Sequence, residues 1–323
     1  MKLIINTKPF SFQLTRKLIT SKGIIQKKIG LLLQIKDSDG NCGWGEVSPL
    51  EANEFKRCIE DLDTIGKTTT KDLIENYLFD LPGALAFGLG TSLADLDHRS
   101  ANRLDFERLS ITKSSYLLPT HIDPVESIKQ YINRSKKEKI SNTIKWKVSN
   151  KENNFNEEKI LQKILHILPK NFKLRIDPNG GWSRQKAAEW SNELKKEPRL
   201  EWIEQPLPSK DLEGLFSLAN QVPIALDESL VEFPYLRNIW KSWQIRRPAL
   251  EGDPRILLQE IEKADKHIVI STAFETGIGS RWINHLAALQ TKGKYPCAHG
   301  LAPGWCPTGP LFNKKPNTVW EAV

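Results

Sequence analysis

The sequence predicts an α/β chain in which an α+β unit precedes a (β/α) barrel. Three observations predict this. The length of 323 residues gives room for roughly two domains, or for one barrel with a cap. The texture changes near residue 115, and beyond it short β-rich runs alternate regularly with amphipathic helical patterns, the signature of strands with helices packed outside. Ionisable residues also recur at or near the ends of five successive β-rich runs, as they do at the mouth of a barrel.

Taken in order, residues 2–12 and 30–36 read as strands, and Asp37-Ser38-Asp39-Gly40-Asn41 as the turn between strands. Residues 81–103 read as helical, with small residues closely spaced. Within them, Gly88-Leu89-Gly90-Thr91-Ser92 lacks the Gly-Lys-Ser/Thr of a phosphate loop and reads as a helix-packing stretch. Past residue 115, strands are expected at 116–120, 143–148, 173–177, 200–204, 223–227, 243–247 and 267–272. Helices are expected at 124–135, 157–168, 184–196, 212–220, 254–266 and 281–290. A further apolar run lies near 298–301. Periodicity alone separates a barrel poorly from an open doubly wound sheet. The polar strand ends favour the barrel.

Hydrophobic content of 39% and charged content of 27% belong to a globular chain and exclude a disordered or collagen-like one. No apolar run approaches the roughly 20 residues that span a bilayer, and the N-terminus shows no secretory core. A cytoplasmic location without membrane insertion is the expectation. Lys and Arg exceed Asp and Glu by 47 to 39, a net charge of +8. The basic residues fall in short mixed runs such as Arg134-Ser135-Lys136-Lys137-Glu138-Lys139, which read as solvated helix ends, with attraction of an anionic small substrate as the other reading. Ten scattered Trp residues form no RNA-binding motif, so no nucleic-acid partner is expected. Cys42, Cys58, Cys297 and Cys306 have neither CxxC nor metal-site spacing and read as free thiols. The six dispersed His residues do not suit zinc.

The chemistry concentrates at the strand ends. Asp177, Glu204 and Asp227 would present oxygens from three adjacent strands toward one point. Carboxylates that close repel unless a cation holds them, and hard oxygens with room for water suit Mg²⁺. The alternative is that each acid pairs separately with a Lys or Arg. Lys145 and Lys147 stand at i and i+2 and so face the same way. Like charge and a nearby divalent cation would lower a lysine from about 10.4 toward working pH, which makes a general base. The alternative is a solvated pair on an edge strand. Arg247, on the far side, stays charged and is a poor proton acceptor. It could stabilise negative charge, lie over a π-system, or form a surface salt bridge.

The order Lys-x-Lys, Asp-x-Asn, Glu-Gln-Pro, Asp-Glu resembles the enolase superfamily, in its muconate-lactonising-type subgroup, and within it the o-succinylbenzoate synthases. Gly43-Trp44-Gly45-Glu46-Val47-Ser48-Pro49-Leu50 resembles the capping-domain segment of these enzymes, and Ser271-Thr272-Ala273-Phe274-Glu275-Thr276-Gly277-Ile278-Gly279 their seventh-strand segment. The resemblance implies a modified (β/α)7β, TIM-like barrel with an N-terminal α+β capping domain. Residues 1–114 would be the cap, 115–300 the barrel, and 301–323 a C-terminal segment returning to the cap.

It further implies Mg²⁺ as cofactor, with Mn²⁺ as the alternative, held by Asp177, Glu204 and Asp227. Lys147 would be the acid/base, Lys145 its electrostatic partner, and Asn179 and Glu228 the groups supporting the ligands. Thr20, Ser271, Thr272 and Glu275 are the expected contacts to a small carboxylate substrate, with specificity around Thr20-Ser21-Lys22-Gly23-Ile24. The departure is Arg247, where the family usually places a lysine. This counts against the dipeptide epimerases and N-acylamino acid racemases, which need acid/base groups on both faces. The segment His299-Gly300-Leu301-Ala302-Pro303-Gly304 also lacks the Asp-x-Asp that the epimerases use. The implied activity is a syn dehydration giving 2-succinylbenzoate, on the way to menaquinone or phylloquinone. A non-catalytic binding protein on the retained barrel is the contrasting reading.

Overall fold

The computed structural model describes residues 1–20, 23–97, 113–119, 122–149 and 156–323. Strands β1 (Lys2–Thr20) and β2 (Gly23–Asp37) pair antiparallel from Leu3 opposite Asp37 to Thr20 opposite Gly23. β3 (Cys42–Val47) and β4 (Thr68–Thr70) complete a sheet of order β3-β2-β1-β4. The turn forms where Asp37 takes the amides of Asp39 and Asn41 on its Oδ1, both at 2.9 Å, with Gly40 at φ +84°.

β1 serves two cores. Leu3 and Ile5 are buried on one face, Phe10, Phe12 and Leu14 on the other, because odd and even positions of a strand point oppositely. The first pair packs with helices α1 (Ala52–Ile65), α2 (Lys71–Tyr77) and α3 (Gly83–Leu96). The second set packs with Phe274, Ile278 and Val319. Helix α3 is buried on nearly every side and carries Gly88–Ser92 as a packing stretch. Its close approach requires glycines on β3: a Cβ on Gly43 would fall 1.9 Å from Ser92 O, and one on Gly45 2.0 Å from Gly88 O.

The barrel follows. Parallel strands β5 (Tyr116–Leu117), β6 (Thr143–Lys147), β7 (Lys173–Asp177), β8 (Leu200–Glu204), β9 (Ile224–Leu226), β10 (Trp243–Arg246) and β11 (Ile268–Ile270) neighbour one another in chain order. The 298–301 run closes the circle: His299 bridges to Ser114 and Gly300 to Ser271. Helices α4 (Pro124–Ser135), α5 (Glu157–Ile167), α6 (Arg184–Leu194), α7 (Leu212–Ala219), then, past two short helices α8 (Glu228–Glu232) and α9 (Leu236–Ile239) and a third, α10 (Pro248–Glu251), helices α11 (Pro254–Lys263) and α12 (Gly277–Thr291) pack outside. A last helix, α13 (Pro316–Glu321), lies at the C-terminus, where Lys8 Nζ of β1 donates to the carbonyls of Trp320 and Val323 at 2.8 and 2.7 Å. No helix among the described residues is long and apolar enough to cross a membrane. The four cysteines are free.

Several elements differ from the sequence reading. β9 and β11 keep three residues each of the five and six expected. The expected helix over 81–103 begins at Gly83 and ends at Leu96, with residues 98–103 outside the described ones. Helices α1, α2, α8, α9, α10 and α13 had no counterpart in the periodicity.

Candidate active site

Strand alternation builds the site in layers. Arg175, Trp202, Ala225, Ile245 and Val269 occupy equivalent heights on five adjacent strands; the last four cluster, and the Arg175 guanidinium lies 3.8 Å from the Trp202 ring. Two residues on, where the next inward position falls, stand Asp177, Glu204, Asp227, Arg247 and Ser271. Trp146, between the two lysines, points outward to Trp190 at 6.0 Å, so Lys145 and Lys147 both point in. Lys147 is in register with Asp177.

The acids converge, and cations lie among them. Lys145 Nζ is 2.6 Å from Glu204 Oε1 and 2.8 Å from Asp177 Oδ2. Arg247 grips Asp227 through both terminal nitrogens. Asp177, Glu204 and Asp227 are all at least 98% buried, at 0%, 2% and 2% exposure. Among the described residues no three acid, His or Cys side chains form a ready-made metal cage. As folded here, Asp177 and Glu204 share Lys145, and Asp227 pairs with Arg247. Their mutual repulsion remains visible. Burial first, then the nearby Asp177, raises Glu204 well above the usual carboxylate range, and burial with Asp227 and Asp177 does the same to Glu228.

Asn179 joins these groups. It adopts φ +48°, its amide donates to Asp177 Oδ1 at 2.9 Å, its Oδ1 accepts from Lys147 Nζ at 2.7 Å, and its Nδ2 donates to Glu228 Oε1 at 3.2 Å. Gln205, to which the sequence reading gave no role, does comparable work in the next loop. Its Oε1 accepts the amides of Asp227 and Ser229 at 3.1 Å each, while its Nε2 donates to Leu207 O and Ser229 Oγ. Ser149, Asn179, Gln205, Phe274 and Ala302 all have φ between +37° and +66°, and each follows the end of a barrel strand. Non-glycine residues hold that conformation at a cost, and such strain gathers at functional mouths.

One expectation needs correction. Lys145 is not lowered toward working pH: burial pulls it down, but Asp177 and Glu204 outweigh burial and hold it above the ordinary lysine value. Of the readings left open for Arg247, the ion pair forms, but with the buried Asp227, and the Arg247 side chain itself stays 26% exposed. Thr272 and Glu275 sit in the loop after β11 and bond to each other, Thr272 Oγ1 to Glu275 Oε2 at 2.5 Å, with Glu275 Oε1 also taking the Ala273 amide at 2.6 Å. Ser271 Oγ reaches Gly300 O at 3.4 Å. Ser21, Lys22 and the Thr20 side chain lie outside the described residues. A cavity of about 310 Å³ is lined by Ile24, Gln26, Lys28, Pro49 and Leu50, among others.

Residues 127–243 match the family described as enolase C-terminal domain-like. The o-succinylbenzoate synthase of Thermosynechococcus vestitus is 30% identical over 289 residues, covering 84% of this chain and 85% of the relative. The chain belongs to the enolase superfamily. A second relative, the o-succinylbenzoate synthase of Pectobacterium atrosepticum, is 26% identical over 84% of this chain and 82% of its own length. Among solved structures, o-succinylbenzoate synthase from Thermosynechococcus elongatus BP-1, with Mg in its active site, superposes with a TM-score of 0.80 at 27% identity, over 99% of this chain and 100% of that one. The L-Ala-D/L-Glu epimerase of Bacillus subtilis shares the fold, at a TM-score of 0.74 and 20% identity over 95% and 92%. This is thus an enzyme of the enolase superfamily, with the antiparallel cap sheet and parallel barrel of that fold.

The donor set of this superfamily member fits a hard divalent cation. Asp177, Glu204, Asp227 and Glu228 supply oxygen alone, and Glu228 Oε2 is buried without a hydrogen-bond partner. The sequence reading missed Gln205 because an amide carries no charge signal. Its place directly after Glu204 and before Pro206 was the available clue.

Proposed function

We propose that this enzyme is an o-succinylbenzoate synthase, which dehydrates 2-succinyl-6-hydroxy-2,4-cyclohexadiene-1-carboxylate to 2-succinylbenzoate. The observation that carries the reading is the asymmetry of the mouth. Of its two lysines, Lys145 is tied to Glu204 and Asp177 at 2.6 and 2.8 Å, while Lys147 bonds the neutral Asn179 carboxamide at 2.7 Å and stands 3.7 Å from Asp177; on the other side an arginine is locked to Asp227. Such a site has one proton carrier, and a syn elimination needs one. Similarity to synthases across 84% of the chain supports the same reaction.

Asp177, Glu204 and Asp227 would hold Mg²⁺, which when bound supplies positive charge to the substrate carboxylate and to the negative charge that develops there. Lys147 as free amine takes the C1 proton, and the C–H electron pair moves into the carboxylate. The same ammonium then protonates the departing C6 hydroxyl, the C–O bond breaks, and water and the aromatic ring form. Lys147 ends as the free amine, ready for another cycle. Asn179 sets where its Nζ stands. Arg247, charged throughout, stabilises the intermediate from the opposite face. Residues 1–114 act as the cap and 115–300 as the barrel, with 301–323 returning to the cap, a division that the Lys8 bonds to Trp320 and Val323 support. The test is a substrate comparison: with Mg²⁺, the cyclohexadiene acid should turn over far faster than dipeptides or N-acylamino acids. Faster epimerisation of a dipeptide, or turnover of nothing, sinks the proposal.

A further inference from the structure

Glu46 belongs to the cap strand β3, yet most of its bonds are to the start of a barrel helix 230 residues away. It is 1% exposed. Its Oε2 accepts the Thr276 amide at 2.9 Å, the Thr276 hydroxyl at 2.5 Å and the Gly279 amide at 3.0 Å, and its Oε1 accepts the Ser48 hydroxyl at 2.8 Å. The first amides of a helix have no partner within it and carry the positive end of its dipole, so a carboxylate there is doubly favoured. Usually a neighbouring residue supplies it; here the other domain does. Helix α12 makes room for it at Gly279, where a Cβ would come within 2.8 Å of Glu46 Oε2.

Two segments hang on this carboxylate, one in the barrel and one in the cap. On the barrel side, α12 begins where the Ser271–Glu275 loop ends, and that loop holds Phe274 at φ +66°, which an aromatic residue keeps only when its surroundings impose it. On the cap side, Ser48 passes the restraint on: buried Lys28 donates to Ser48 O at 2.6 Å and Pro49 O at 3.3 Å. Lys28 and Pro49 are walls of the 310 Å³ cavity. Lys28, Ser48, Glu46 and Thr276 thus form one buried polar string from cavity wall to barrel loop.

We propose that Glu46 is a positioning residue for the reaction, latching the cap to α12 so that the cavity wall and the Ser271–Glu275 loop keep their places around the substrate. The proposal rests on the dehydratase reading above only for its choice of substrate. In Glu46→Gln, KM should rise about tenfold, the loss expected of a charge-assisted hydrogen bond, while kcat and Mg²⁺ affinity stay near wild type. Glu46→Asp, which keeps the charge, should recover part of the KM. Amides of residues 276–280 should exchange with deuterium about tenfold faster in Glu46→Gln, reporting the opened helix start. Thr276→Val removes one donor and should show both effects more weakly; it serves as the variant if Glu46→Gln fails to fold. A variant with a lower melting temperature but unchanged KM overturns the positioning role. Unchanged exchange at 276–280 overturns the latch itself, and that measurement stands even if the wild type leaves the cyclohexadiene acid untouched.

Discussion

Lys145 offers a direct reading of how strongly the three carboxylates need a cation. It touches Glu204 at 2.6 Å and Asp177 at 2.8 Å, and both acids are buried. Lys145→Met keeps the stem and removes the charge. Stripping one partner from a buried ion pair costs about 3–5 kcal/mol. At about 2–4 °C per kcal/mol for a chain of this class, the metal-free variant should melt roughly 6–20 °C below wild type. Mg²⁺ should restore much of that loss, because the acids regain a cation; at 100 times Kd a ligand stabilises the folded state by about 2.7 kcal/mol. Since no ammonium competes with the ion in the variant, its Mg²⁺-dependent rise should exceed that of wild type at equal Mg²⁺. Thermal melts with EDTA and with a Mg²⁺ series measure both quantities. A metal-free variant melting within about 2 °C of wild type, a fall worth only about 1 kcal/mol, would refute the ion-pair reading. Equal Mg²⁺ shifts in the two proteins would refute the placement of the metal among these acids.

Acid should destabilise the barrel seam. His299 Nδ1 accepts the Ile270 amide at 3.0 Å, so that nitrogen cannot carry a proton, and burial holds His299 down to about 3 and His285 to about 4. Because both values lie below the unfolded one near 6.5, the unfolded chain protonates first: their stabilisation is complete above about pH 6.5 and falls as pH drops toward 4, by up to about 1.4 kcal/mol per unit per histidine. Denaturant melts of wild type and His299→Gln between pH 7 and 4.5 should differ in slope by about one proton, and parallel slopes would contradict this. Arg247→Lys should retain substantial dehydration activity, whereas Arg247→Met should lose most of it and about 3–5 kcal/mol of stability, since Asp227 is left buried and unpaired; similar losses in both variants would deny the charge its role. In D₂O the wild type should exchange the α-proton of one enantiomer of an N-acylamino acid, and rapid exchange of both with inversion would reveal a second base.

Much of the barrel was legible because its strands and helices carry their period over several turns. The runs 173–177 and 200–204 and the helix 124–135 coincide with the structure to the residue. The polar strand ends gave the site for the same reason: a period of two fixes which residues point inward. Helix α1 buries Cys58, Leu62 and Ile65, an i, i+4, i+7 stripe that could have been read but is thin among charged neighbours. Helices α8, α9 and α10 have four or five residues, too few to show a period. The partners of the site were illegible for another reason. Lys145 meets Glu204 across 59 residues and Glu46 meets Thr276 across 230, and no spacing rule reaches between strands or domains. The low lysine pKa failed on the same ground: the neighbouring lysine was visible in the sequence, while the two carboxylates that outweigh it met Lys145 only in the fold.

In the proposed dehydration Lys147 alone carries the proton. This is tested by comparing wild type and Lys147→Ala on the cyclohexadiene acid, following loss of its absorbance with Mg²⁺ present and measuring Mg²⁺ affinity of both proteins by calorimetry. Wild type should convert the acid rapidly to 2-succinylbenzoate, the variant should lose at least about 10²–10⁴-fold in kcat, and the two Mg²⁺ affinities should agree within a few fold. A Lys147→Ala enzyme that dehydrates the substrate at the wild-type rate would contradict this role for Lys147.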